Sequence, residues 1–495
     1  MAVPKVCGIE TEYGVTLRGA AESNPVLASS MLINAYVEHR KVGWDFEDES
    51  PGRDARGFAR EGSAPPEVET HLVNTVLTNG ARYYVDHAHP EYSTPECADA
   101  LELVRADKAG ERILARSMQA SHRLLEPGQD ILVHKNNSDG KGNSYGTHEN
   151  YLVDRALPFA SLVRTMLPWF VTRQVFTGHG KIGSENGAAP VDFQISSRAD
   201  FFEEEVGLET TLKRPIVNTR DEPHADPQKY RRLHVIAGDA NLCEVATFLK
   251  VGTTAIVLAM IEDDFIDKDL AIVGPVHAMR TVSHDPTCRA TVEMAEGGRA
   301  TAIEIQWEFL RLANKYADET GLELCGGETV GTDVLARWES TLTALERDPS
   351  SLDGTLDWVT KLALLDAYRE RDGLAWNDPK LSLLDLQYHD VRPGRSLYER
   401  LVAAGKIERM VTEESVIEAM TEPPGSTRAY FRGRCLAKWP EAVVAANWDS
   451  VILDVGSEPL RRIPMMEPLK GTRAYVEPLF NECSTPAELV ARLSS

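Results

Sequence analysis

Apolar and polar residues alternate over Lys5–Gly14, so that Val6, Gly8, Glu10 and Glu12 share one face of a predicted strand. Two carboxylates on one face of a strand that otherwise reads as buried are costly unless something cationic meets them. A second alternating segment, Ala81–Asp86, predicts a strand running into His87-Ala-His-Pro-Glu-Tyr, where Pro90 should end regular pairing. Later the period changes. Ile303, Trp307, Leu310 and Ala313 recur at helical spacing, as do Val334, Leu335, Trp338, Leu342 and Leu345, and then Val359, Leu362 and Leu365. These three predicted helices, separated by Gly326-Gly327 and Asp348-Pro349, read as packing elements. From about residue 42 to 76 the pattern breaks down into charge, Gly and Pro, with Pro51, Pro65 and Pro66. The aromatic residues Trp44, Phe46 and Phe58 within it point to a mobile insert that docks part of the time. Glu422-Pro423-Pro424-Gly425-Ser426 predicts a boundary between a large unit, 1–422, and a small C-terminal unit, 423–495.

Composition removes several function classes. The 495 residues carry 53 Lys+Arg against 76 Asp+Glu, a formal charge of −23, which argues against a nucleic-acid binder. The best apolar run, Thr253–Ile261, is closed by Glu262-Asp263-Asp264 and falls short of the roughly 18 residues of a membrane span. Charges occupy the N-terminus where a signal peptide has its apolar core. Seven cysteines are scattered and never in C-x-x-C spacing, which argues against a zinc ribbon or a disulfide framework. A cytoplasmic protein with reduced thiols, acting on neither nucleic acid nor membrane, is expected.

Five polar clusters remain as candidate chemistry: Glu10-Thr-Glu12; Arg82 to Glu91; Lys135-Asn-Asn137; His148-Glu149-Asn150; and Asn218 to Asp226 with Arg231-Arg232-Leu-His234. They offer carboxylates and imidazoles for hard divalent cations and arginines that fork phosphate oxygens. Each has a plainer reading. A lone E-x-E strand is more often a solvated edge, and His87-Ala-His89 has no further feature to support a zinc site. His234, flanked by Leu233 and Val235, reads equally well as a core histidine. Gly178-His-Gly180-Lys-Ile-Gly183 matches a dinucleotide fingerprint formally, but Ser-Glu-Asn-Gly-Ala-Ala-Pro follows where a helix must start. No G-x-x-x-x-G-K-[ST] occurs, so a nucleotide would be held without a Walker loop.

Taken together and in order, Gly8-Ile-Glu10-Thr-Glu12-Tyr-Gly14, Asn79-Gly-Ala-Arg82-x-Tyr84-x-Asp86 with His-Pro-Glu91-Tyr, Lys135-Asn-Asn137, Ser144-Tyr-Gly-x-His148-Glu149-Asn150-Tyr and Asn218-Thr-Arg220-Asp-Glu-Pro-His224-Ala-Asp226 resemble a known family. It is the Pup ligase and depupylase family of actinobacteria, distant relatives of glutamine synthetase and the carboxylate-amine ligases. The resemblance implies an α+β fold, with a curved antiparallel sheet cradling the active site, helices behind it and a small C-terminal domain. It implies Mg²⁺ ligands at Glu10, Glu12 and Glu91, with Tyr84 and His148 at the metals. It places Arg82, Arg220 and His234 against phosphates, and Thr94 and Trp448 at the nucleotide. Asp86 is the residue it implies for bond cleavage, as nucleophile or as general base on water. The implied cofactors are Mg²⁺ and ATP, or ADP plus phosphate, and the implied partners are Pup and pupylated proteins, met by a monomer. The insert, with Trp44-Asp-Phe-Glu and Ser50-Pro-Gly-Arg, and the short spacing from Asp86 to Glu91 resemble the hydrolytic branch. That branch deamidates a C-terminal Gln of Pup and cleaves the Pup–lysine isopeptide bond. The alternatives are the ligase of the same fold and a silent nucleotide-binding regulator.

Overall fold

The computed structural model describes residues 1–20, 22, 24–37, 42–47, 49–59 and 72–494. Strands from both ends of the chain form one ten-stranded sheet. In chain order they are β1 (Cys7–Glu12), β2 (Val42–Trp44), β3 (Asn74–Val76), β4 (Arg82–Asp86), β5 (His89–Ser93), β6 (Thr147–Asp154), β7 (Tyr230–Val235), β8 (Val443–Ala446), β9 (Ser450–Leu453) and β10 (Arg461–Pro464). Across the sheet the order is β7-β6-β1-β5-β4-β3-β2-β8-β9-β10. The fold is α+β as expected, but the sheet is mixed rather than purely antiparallel. β8 lies parallel to β2, because the C-terminal segment reaches the edge of the sheet by a long connection instead of a hairpin.

Alternation along each strand decides what faces the site. The register pairs Glu10 with His148 and Ser93, Glu12 with Glu91, Tyr84 with Glu91, and His234 with Asn150. Residues directly opposite project to one face, so Gly8, Glu10, Glu12, Arg82, Tyr84, Asp86, Glu91, His148, Asn150, Arg232 and His234 all share it. The opposite face, with Ile9, Tyr83, Val85, Tyr92, Tyr151 and Val235, is buried. It packs on α1 (Pro25–Val37), α2 (Ala100–Ser121) and α4 (Glu244–Glu262).

Pro90 does not end the pairing. It lies within β5 opposite Val85, whose N–H is turned away to the Val73 carbonyl. The Pro90 backbone is therefore aimed toward the β1 side, past the end of that strand, where its carbonyl accepts from Tyr13 and its missing N–H leaves no ladder bond unmade.

Behind the sheet, α3 (Phe159–Thr177), α4, α5 (Ala302–Thr320) and α6 (Glu328–Arg347) form a helical layer. The two later predicted stripes appear on α6 and on a helix over Asp357–Asp372, and α5 starts at a Thr301–Glu304 capping box. Trp169 and Trp338 meet edge to face at 5.4 Å in its centre, each with its indole N–H satisfied, by Thr254 and Gln306. Helix α4 has the length and composition of a membrane span, yet it is buried within this layer, and its apolar residues run all round it because it has no solvent face.

The expected insert begins and ends inside the sheet, since β2 and β3 bound it. Its described middle is docked: Thr219 donates to Asp54 at 2.7 Å, Asp54 and Arg220 form a bridge, and the Ser50 N–H meets Glu222 at 2.5 Å. Residues 60–71, with Pro65 and Pro66, lie outside the described residues. The boundary at 423 likewise does not separate two sheets. Val42, Trp44 and Val76 share a core with Phe431, Trp439, Val451 and Phe480, so the C-terminal unit is an extension of the sheet that buries the apolar side of β2 and β3.

Candidate active site

Two donor clusters stand on the concave polar face. Glu10, His148 and His234 form one, and Glu12, Asp86 and Glu91 form the other, each with ligand atoms within 4.8 Å of one another. Successive same-face residues of β1 bring Glu10 into the first and Glu12 into the second, and the hairpin β4–β5 brings Asp86 and Glu91 together.

The surroundings are polarised in opposite ways. Burial raises the pKa of Glu10, but the imidazoles of His148 and His234, 3.6 and 3.7 Å away, and the charge of Arg232 hold it well below the usual range. At Glu12 the same burial is outweighed by His89, whose Nδ1 is 3.2 Å away, leaving a value of about 2. Glu91 goes the other way: burial first, then the charges of Asp86, Glu12 and Glu10, push it well above the carboxylate range, although Tyr84 donates to it at 2.6 Å. Burial also pushes the His234 pKa well down, and among the described residues its Nε2 has no hydrogen-bond partner and lies 3.7 Å from Glu10. Crowded carboxylates and an orphaned imidazole nitrogen fit a site built to receive hard dications.

Asp86 closes the far end. Its carboxylate meets His87 Nδ1 at 2.8 Å and, among the described residues, no Arg or Lys. His87, at φ +50, forms the hairpin turn, and its Nδ1 meets Asp86 while that of His89 meets Glu12, so the two histidines serve different carboxylates.

At the Glu10 end a small cleft opens. Gly8, Thr94, Asn150, His224, Arg232 and Trp448 are among its walls. Thr94 is held by accepting from the Ile9 N–H at 3.0 Å. Trp448 is held by the C-terminal unit: Arg432, on the helix Ala429–Lys438, donates to its carbonyl at 3.0 Å and lies over its ring at 5.1 Å.

Residues 5–452 match the family model described as Pup-ligase protein. The depupylase of Acidothermus cellulolyticus is 54% identical over 502 residues, covering 99% of this chain and 99% of that one. The Pup deamidase/depupylase of Mycolicibacterium smegmatis is 47% identical over 503 residues, covering 99% and 100%. The chain belongs to the Pup-ligase family. The crystal structure of Pup with its ligase PafA matches with TM-score 0.81 and 32% identity, covering 99% of this chain and 94% of that one. The PafA complex with ADP matches with TM-score 0.76 and 37% identity, covering 82% and 89%.

Within this Pup-ligase fold the residues expected at the site fall into three places. Glu10, Glu12, Glu91, His148, His234 and Asp86 make the two clusters, with Tyr84 behind Glu91. Thr94 and Trp448 line the cleft. Arg82 and Arg220 stand on the rim formed with the insert: Arg82 is sandwiched between Trp44 and Tyr84 at 4.0 and 3.9 Å and donates to Asn74, and the Arg220 Nε is buried without a hydrogen-bond partner among the described residues. The sequence placed Asn150 and Arg232 in candidate polar clusters but gave them no role. Asn150 donates to Glu10 at 2.9 Å and accepts from Arg232 at 2.7 Å, which fixes the carboxylate's orientation. Their signal was present, since Asn150 lies two residues from His148 and Arg232 two from His234 on the same strand faces. Glu149 is the reverse case: it points to the helical layer, where Arg173 holds it bidentately.

Proposed function

We propose that this chain is a nucleotide- and Mg²⁺-dependent amidohydrolase that converts the C-terminal Gln of Pup to Glu and cleaves the isopeptide bond between Pup and lysine. The observation that carries this reading is Asp86, a carboxylate at the hairpin turn that meets His87 but, among the described residues, no Arg or Lys, in reach of Glu12 and Glu91 and away from the cleft. The 54% identity to a depupylase supports hydrolysis over ligation.

The chemistry asked of Asp86 is an electron pair, delivered to the amide carbon directly or to a proton of the attacking water. The turn at His87–Ala88 and the pairing of Val85 with Pro90 hold the Asp86 backbone, and the His87 bond orients the carboxylate. Glu10, Glu12, Glu91, His148 and His234 are the residues that would hold Mg²⁺, and bound Mg²⁺ supplies positive charge for phosphate oxygens and a developing oxyanion. Asn150 and Arg232 keep Glu10 in place, and His89 and the Gly146 N–H keep Glu12 in place.

Incubation with Pup ending in Gln, ATP and Mg²⁺ should raise the mass of Pup by about one dalton, as the amide becomes an acid. EDTA should stop the conversion. A ligase would instead form ADP with each conjugate, and one ADP per turnover here would overturn the reading. For the nucleotide, Trp448→Ala should weaken ADP binding about tenfold, the order expected for losing one aromatic wall against a base. A fluorescent-ADP titration reads this directly, and an unchanged affinity would move the nucleotide elsewhere.

A further inference from the structure

One corner of the site carries two arginines that form no ion pair among the described residues. Arg198 is 1% exposed and precedes the short turn Ala199–Phe201. Among the described residues its Nε has no hydrogen-bond partner, and its guanidinium makes one long hydrogen bond, 3.5 Å from Nη1 to the Gly238 carbonyl, and lies over the Phe202 ring at 5.9 Å. A buried arginine without a carboxylate is costly and uncommon. Arg173 in the same protein shows the usual arrangement, with Glu149 across from it. Burial and the charge of Arg214 draw the Arg198 pKa down to about 9, against the pull of Glu12 and Asp239, so it remains a cation at neutral pH. Arg214 is also without an ion pair among the described residues; it donates to the carbonyls of Thr210 at 2.8 Å and Ser144 at 2.5 Å.

Both arginines border Glu12. Ser144 lies two residues before Gly146, whose N–H donates to Glu12 at 2.9 Å. A Cβ built on Gly238 would lie 3.4 Å from the Thr147 carbonyl, so the Arg198 contact falls on the same edge. The charge of Glu12 acts on Arg198 and Arg214, whereas Glu10 is met by Arg232 in the wall of the nucleotide cleft. Same-face neighbours on a strand stand about 7 Å apart, so the two sets of arginines act at different positions along β1.

We propose that Arg198, with Arg214 beside it, binds the free α-carboxylate of the substrate's C-terminal residue and so makes the enzyme select a terminal Gln or Glu linkage. This rests on the amidohydrolase reading above. In both reactions the scissile amide is on the side chain of a C-terminal residue, so the charge that always accompanies it is that residue's α-carboxylate. A guanidinium with free donors matches a carboxylate with a forked pair of hydrogen bonds. A phosphate oxygen is the other source of such an anion.

The test compares Pup ending in Gln with the same Pup carrying a C-terminal carboxamide. Wild-type enzyme should lose about 50-fold in kcat/KM on the carboxamide, the order expected for a charge-assisted bond. Arg198→Gln should lose a similar factor on the free acid, mainly in KM, and little more on amidation, with ADP affinity unchanged and Arg198→Lys intermediate. Arg214→Gln should show the same pattern in weaker form, and serves if Arg198→Gln does not fold. Equal wild-type rates on both substrates, or a variant that penalises both equally, overturn the proposal. Loss of ADP or inorganic phosphate affinity with unchanged Pup discrimination would also overturn it, assigning the arginines to phosphate. Absence of any wild-type conversion would overturn the amidohydrolase reading instead; the anisotropy of labelled Pup acid and carboxamide on the protein would still decide the carboxylate contact.

Discussion

Asp86→Asn should abolish deamidation and depupylation, by roughly a thousandfold or more, while ADP binding stays within a factor of about two. The substitution keeps size and a carbonyl oxygen for the contact with His87, and removes only the electron pair that the reaction needs. Nucleotide binding is insulated because the cleft opens at the Glu10 end and does not include Asp86 among its walls. The variant also removes one of the charges that press on Glu91, so its metal affinity will fall somewhat at most. A mass time course on Pup ending in Gln, beside an ADP titration, measures both halves. Retention of more than a tenth of the wild-type rate would mean that another group carries the cleavage.

Breaking the Glu149–Arg173 pair should destabilise the fold by about 3–5 kcal/mol, the cost of leaving one buried charge unpaired. Both side chains are fully buried, and two parallel bonds of 2.8 and 2.6 Å join them. Tyr151 and Thr254 complete the network at 2.6 and 2.8 Å. Burial alone would raise the Glu149 pKa, and Arg173 more than reverses it. Arg173→Met therefore strands a carboxylate in the core, whereas the double variant Glu149→Leu with Arg173→Met removes both charges and should recover much of the loss. Denaturant unfolding of the three proteins tests this, and a single variant within about 1 kcal/mol of wild type would show that water reaches the pair. Because Glu149 stands between His148 and Asn150, the same pair pins the strand whose other face carries the site.

Local pattern was enough to set out much of this. The period of two along Lys5–Gly14 put Glu10 and Glu12 on one face with Gly8, and it separates His148 and Asn150 from Glu149, because neighbouring residues on a strand must point apart. The period of 3.6 located the helices through Trp307, Trp338 and Val359, since their stripes must be buried against something. The ordered motifs carried the family. What they could not carry was adjacency. β1 lies between β5 and β6, which come from residues 89–93 and 147–154, and the sheet's far edge is built from residues 443–464. Such partners are chosen by the total apolar surface that distant segments bury together, as Val42 and Trp44 do with Phe431 and Phe480, and no local propensity encodes that choice. For the same reason Pro90 read as a break: its tolerance depends on which neighbour its missing N–H would have faced. Arg198 was invisible in the sequence, where an arginine beside two serines looks ordinary. Only the tertiary structure buries it on the Glu12 side of the site without an ion pair among the described residues, because its exceptional state is a property of what surrounds it.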